Sequence, residues 1–214
     1  MKTVALCGTS RDVGRTSVGA FLSGQLQGVA AVKVTPKHRA SLVSGAARSG
    51  RLTELDHDAE SGSYVVERDP GTLLVSGSDT RRFWDSGADP VFWLRAKDEG
   101  IVEGVAEIRQ ALEGDPKAVL IVEGDRYVQH GGPSDVTLVV YPNASDTFDE
   151  TEFDSIRQAN AFVVTKRRPE ATQVPIFDHE DFPGEVLDVP VFTFNLDDES
   201  LALDDRYELV RWLE

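Results

Sequence analysis

The sequence is short of several things that would have pointed elsewhere. It has one cysteine, Cys7, so no disulfide can form within the chain, and a reducing, cytoplasmic setting is the expectation. No apolar run approaches the roughly 18 residues of a membrane span. The opening run Thr3 to Cys7 leads straight into a glycine-bearing loop, so it reads as a strand and not a secretory leader. Positive charge is also scarce. Lys and Arg total 22 against 37 Asp and Glu, a net charge of −15, which argues against a general nucleic-acid backbone binder. Low-complexity tracts and internal repeats are missing. With 214 residues the expectation is one domain, 1–214.

What is present has the rhythm of an α/β protein. Thr3 to Cys7 is an apolar strand, and Thr16 to Leu26 places Val18, Phe21, Leu22 and Leu26 on one helix face. Ala30 to Val34 is a second strand, closed by Pro36. This βαβ opening implies a mostly parallel sheet with helices on both sides, a three-layer αβα sandwich. From 36 to 69 the chain reads as an irregular insertion, with a weak strand at Tyr64 to Glu67. Further strands are expected at Thr72 to Val75, Val91 to Leu94, Ala118 to Val122, Val136 to Val140, Ala161 to Thr165 and Val189 to Phe194. Helices are expected at Asp79 to Ser86, Asp98 to Leu112, after the acidic stretch Asn143 to Asp154, and at Leu201 to Leu213. Trp84 and Trp93 read as core or core-edge aromatics.

The segment most suggestive of chemistry lies between the first strand and first helix: Gly8, Thr9, Ser10, Arg11, Asp12, Val13, Gly14, Arg15, Thr16, Ser17. A loop in this place can turn backbone N–H groups onto phosphate oxygens, and the helix adds its positive end. Gly14 allows close approach, and Thr16 stands where a hydroxyl would reach Mg²⁺. Against the general phosphate-loop pattern, Thr9 holds the first glycine position and Arg15 the lysine position. Arginine is a planar fork where lysine is a compact point charge, so binding is expected more firmly than hydrolysis. A glycine-rich turn with no ligand is the alternative.

The loop resembles Gly-Thr-x-x-x-Val-Gly-Lys-Thr of dethiobiotin synthetases, apart from Arg15. Three more segments resemble the P-loop family of the molybdopterin-guanine-dinucleotide biosynthesis protein B. They are Val32-Lys33-Val34-Thr35-Pro36-Lys37-His38, the run Gly77 to Ala88 with Ser78-Asp79-Thr80-Arg81, and Leu120-Ile121-Val122-Glu123-Gly124. The resemblance spans about residues 1 to 140. It implies a P-loop NTPase fold that binds ATP or GTP with Mg²⁺ and works with a protein partner in a cofactor-biosynthesis pathway. It also implies that Lys33 supplies the cation that Arg15 delivers badly, and that Thr16, Asp79 and Glu123 hold the metal. On this reading Lys33, Arg15 and Glu123 are the catalytic candidates.

Other readings stay open. Lys33 could be a solvated strand-end lysine, and Asp79 a helix N-cap. Thr165-Lys166 sits where many GTPases carry Asn-Lys-x-Asp, with Lys166 a nucleotide-binding candidate. Thr165 and Arg168 depart from that pattern, so guanine selectivity is not implied. Asp56-His57-Asp58, with His38 and His130, fits no strong metal spacing. A carboxylate-activating ligase of the dethiobiotin-synthetase type and a catalytically silent adaptor are the competing functions. Nucleic acid and membrane are not among the expected partners; a homodimer is left open.

Overall fold

The computed structural model describes residues 1–9, 12–37, 62–142, 150–166, 188–196 and 205–214. Ser10, Arg11, His38, Asp56, His57, Asp58, most of the 36–69 insertion and the start of the Leu201 helix lie outside them.

Eight strands form one sheet. They are β1 (Lys2–Gly8), β2 (Val29–Pro36), β3 (Tyr64–Glu67), β4 (Val91–Ala96), β5 (Val119–Glu123), β6 (Val136–Pro142), β7 (Ala161–Lys166) and β8 (Val191–Asn195), in the order β3-β4-β2-β5-β1-β6-β7-β8. All neighbours are parallel except β3, which runs antiparallel to β4. Strands buried on both faces read as continuous apolar runs, which is why β1, β5 and β6 were conspicuous in the sequence.

Alternation along the strands divides the core in two. On one face Ala5, Cys7, Val32, Val34, Leu94 and Val122 pack against α4 (Ile101–Ala111), α5 (Asp125–Gln129) and α6 (Glu150–Arg157), through Ile101, Val105, Ile108, Tyr127 and Ile156. On the other, Val4, Leu6, Ala31, Ile121, Leu138 and Val163 pack against α1 (Arg15–Gln25), α3 (Asp79–Asp85) and α7 (Arg206–Leu213), through Val18, Leu22, Phe83, Leu209 and Leu213. The result is a three-layer αβα sandwich around a mostly parallel sheet. Among the described residues no helix is long and apolar enough to cross a membrane.

Some expectations needed correction. Thr72 to Val75 is not a strand. Pro70–Leu73 forms a short helix, α2, because Asp69 caps it by accepting the Thr72 N–H and Pro70 presets its first turn. The short helix α5 was not anticipated. Trp84 is 43% exposed, pointing off the outer side of α3, whereas Trp93 is buried. Cys7 is a buried strand residue; burial, with Asp125 adding to it, pushes its thiol up to about 12, so it stays protonated and unreactive.

Candidate functional site

The site is built where β1, β2 and β5 end side by side. Because β5 lies between β1 and β2, with Leu6 and Lys33 both in register with Glu123, three strands deliver their carboxyl ends to one place. Lys33 and Glu123 fall on the α1 side of the sheet by the alternation that puts Ala31 and Ile121 there.

The loop after β1 is folded tightly. Val13 and the Arg15 stem lie over Gly8; a Cβ there would come within 2.7 Å of Val13 Cγ2 and 2.8 Å of Arg15 Cδ. Gly14 caps α1 at φ 94°, a left-handed conformation that favours glycine. No side chain caps α1, and its first turn carries no acidic residue. Its first i→i−4 bond runs from the Val18 N–H to Gly14 O (3.0 Å), so the preceding N–H groups lie ahead of the helical ladder. Such an end is positive and open to an anion.

Buried Thr165 of β7 fastens the loop from the far side. Its hydroxyl donates to Val13 O at 2.6 Å. In the sequence Thr165 stood out only as a departure from the base-reading pattern beside Lys166; in the structure it is a tether. Lys166 alternates to the opposite side of β7 and does not line the cavity. Replacing Thr165 by the near-isosteric valine will lower unfolding stability by about 1 kcal/mol, since a buried carbonyl loses its donor. Urea denaturation measures it, and an unchanged midpoint would show the loop is held without this bond.

Beneath the start of α1 four side chains converge. The Lys33 ammonium donates to Glu123 Oε1 at 2.7 Å and lies 2.7 Å from Asp79 Oδ2. The Thr16 hydroxyl donates to the same Glu123 oxygen at 2.9 Å. Burial works against the Lys33 charge, but Glu123 and Asp79 outweigh it and hold its pKa above the ordinary value. Asp79 is likewise opposed by burial and held below the usual carboxylate range by Lys33 and by the hydrogen bonds to Lys33 and Thr16. Ser78, not Asp79, caps α3, accepting the Arg81 N–H at 3.1 Å. The cap therefore leaves the Asp79 carboxylate to face Lys33. Glu123 is 1% exposed, and its second oxygen, Oε2, is buried without a hydrogen-bond partner among the described residues.

Arg15 turns the other way. Its guanidinium pairs with Asp125 at the start of α5, and Asp125 also accepts the Gly8 N–H at 2.6 Å. Desolvation opposes the Arg15 charge, while Asp125 and then Glu123 raise its pKa. Sequence reasoning found Arg15 but missed Asp125, which directly follows the Glu123-Gly124 pair. Arg82 donates to the Ser17 hydroxyl at 2.9 Å, whereas Arg81 pairs with Asp85 along the outside of α3.

A cavity of about 300 Å³ opens among Asp12, Val13, Gly14, Arg15, Thr16, Ser17, Lys33, Asp79, Arg82 and Glu123. That is within the size range of small-ligand sites. Thr9 is buried outside it, its N–H given to Val140 O at 3.2 Å. Three cationic and three acidic side chains line the cavity, so its lining is close to neutral. No cluster of three or more His, Cys, Asp or Glu suited to a metal occurs among the described residues. An ion here would rest on two carboxylates and a hydroxyl.

No family model matches the chain, and no curated protein does. Among solved structures, the chain is similar to pNOB8 ParA, described as bound to nonspecific DNA. The two are 14% identical with a TM-score of 0.30, the match covering 86% of this chain and 61% of that one. The chain thus spans about three-fifths of that structure's length, and so slight a likeness carries no argument about the site.

Proposed function

We propose that the chain binds a nucleoside triphosphate with Mg²⁺, the phosphates lying on the loop and first turn of α1. The observation that carries this reading is the cluster in which Lys33 pairs with Asp79 and Glu123, and Thr16 donates to Glu123, directly below an uncapped helix N-terminus. A triphosphate brings three to four negative charges into a cavity whose lining is near neutral, so a divalent cation has to accompany it. The donors suit Mg²⁺: all are hard oxygens, and Glu123 Oε2 is buried and unpartnered. When bound, the ion would offset phosphate charge, with Thr16, Asp79 and Glu123 as its protein contacts. Lys33 would turn its ammonium from the carboxylates to the phosphates.

Arg15 makes this a reading of binding before turnover. Its charge is committed to Asp125, which leaves Lys33 and Arg82 as the cavity's cations for phosphate. Charge stabilisation at the transferring phosphoryl group is what phosphoryl-transfer catalysis chiefly requires. A role beside a protein partner, as in the molybdopterin-guanine-dinucleotide family that the sequence resembles, fits a binder better than a rapid hydrolase. The net charge of −15 supports a reading without a nucleic-acid partner.

Titration calorimetry with ATP and with GTP tests the proposal. Binding of at least one, tightened about tenfold or more by Mg²⁺ over EDTA, is the expected result. Silence from both at millimolar concentration would remove it.

A further inference from the structure

Away from this cavity the sheet carries a second collection of charge. Arg95 stands in β4 within an otherwise apolar run, Val91–Ala96, and is 4% exposed. Its guanidinium lies 5.0 Å from the centroid of the Trp93 ring. Its Nε is buried without a hydrogen-bond partner, and no carboxylate pairs with it among the described residues. Burying a guanidinium this way is costly; the ring repays only part. The register places it: Thr35 of β2 is opposite Arg95, and Pro36 opposite Ala96. Lys37 and Lys97 come next, just beyond the two strand ends, with the Lys37 ammonium donating to Gly62 O. Like charges so placed repel, and in a chain with 15 excess negative charges there was no shortage of acids to separate them.

We infer that Arg95, Lys37 and Lys97 form an anion-binding subsite for a carboxylate- or phosphate-bearing small molecule, separate from the nucleotide cavity but beside it. Lys33 faces Trp93 in the same β2–β4 pairing. By ordinary strand spacing, the Arg95 backbone is about 8 Å from that of Lys33, two residues along and one strand across. The carboxyl ends of the strands in an open α/β sheet are where ligands bind. Lys37 is held below its ordinary pKa by desolvation and then by Lys97 and Arg95, with Glu99 acting the other way. An arriving anion relieves that repulsion and supplies the acceptor that Arg95 Nε lacks. The Trp93 indole N–H, which donates to Thr35 Oγ1 at 2.8 Å directly beneath, reports on the subsite.

The test is an NMR titration of the indole N–H signals at constant ionic strength, with inorganic phosphate and, separately, with succinate. A Trp93→Phe variant assigns the signal. The Trp93 signal is expected to shift saturably with at least one anion, and the stronger of the two identifies the ligand class. Arg95→Gln should weaken that binding about tenfold or more, and the double variant Lys37→Ala/Lys97→Ala about fivefold. Should Arg95→Gln fail to fold, the double variant decides, since both lysines lie nearer solvent. The subsite is disproved if neither anion moves the signal by about 20 mM, or if the response survives in the variants. A response lost on Arg82→Ala but kept in the variants above moves the anion to the nucleotide cavity and equally overturns the assignment. Failure of ATP and GTP to bind leaves this titration readable, so the two proposals fall separately.

Discussion

Replacing Lys33 with methionine will destabilise the protein by about 3 kcal/mol, because Glu123 is then a buried carboxylate with no cation against it. At this chain length that corresponds to a fall in Tm of roughly 6–12 °C. The Thr16 hydroxyl alone cannot offset a charge that is 1% exposed. Adding Glu123→Gln to Lys33→Met removes the charge as well and should recover much of the loss, a coupling that a double-mutant cycle reads directly. The pH dependence follows from the direction of each shift. Lys33 is raised above 10.5, so its contribution is whole below that value and fades as pH climbs through the higher folded pKa. Asp79 is lowered below 3.8, so its contribution is whole above that value and fades as pH falls through the depressed folded pKa. Between these limits neither Lys33 nor Asp79 titrates, so their contribution to wild-type stability should stay flat. Thermal melts from pH 5 to 9 check it, and a variant as stable as wild type would mean the ammonium contributes no net stability where it lies.

Glu123→Gln alone separates folding from ligand binding. The amide keeps the shape and can still accept from Thr16, so the fold should survive. Affinity for nucleotide in the presence of Mg²⁺ is expected to drop about 100-fold, equivalent to about 2.7 kcal/mol. Nucleotide binding in EDTA should change far less, because no ion is there to lose. Calorimetry under both conditions gives the ratio. If Mg²⁺ strengthens binding equally in wild type and variant, Glu123 does not hold the ion.

The opening βαβ unit was legible because its strands are buried on both faces and spell unbroken apolar runs. Glu123 was legible for a related reason: a carboxylate closing such a run, next to glycine, calls for a partner. Lys33 and Asp79 emerged from resemblance to known phosphate-loop proteins, and in the structure Lys33 pairs with both Asp79 and Glu123. What could not be read were pairings set by strand order. Nothing local links Arg15 to Asp125, 110 residues on; they meet because β1 and β5 are neighbours. The Thr165 tether to Val13 is of the same kind, spanning 152 residues. Thr72 to Val75 was misread as a strand from its apolar residues, although Asp69-Pro70 just before it is a helix-start signal. Arg95 left a visible trace, a lone charge in VFWLRA, that only the register with Thr35 makes meaningful.

The position of β1 has a consequence for how the molecule assembles. Both of its edges are occupied by late segments: β5, beginning at Val119, and β6, ending at Pro142. During synthesis β1 must wait with both rows of backbone groups unpaired until β5 has been made, and with one row unpaired until β6 has followed. Contacts this distant in sequence close slowly, and an apolar strand kept waiting is a target for wrong partners. The segment from Val13 to Ser17 that lines the cavity follows that strand directly, so the nascent chain can form the cavity only after the sheet's centre has closed.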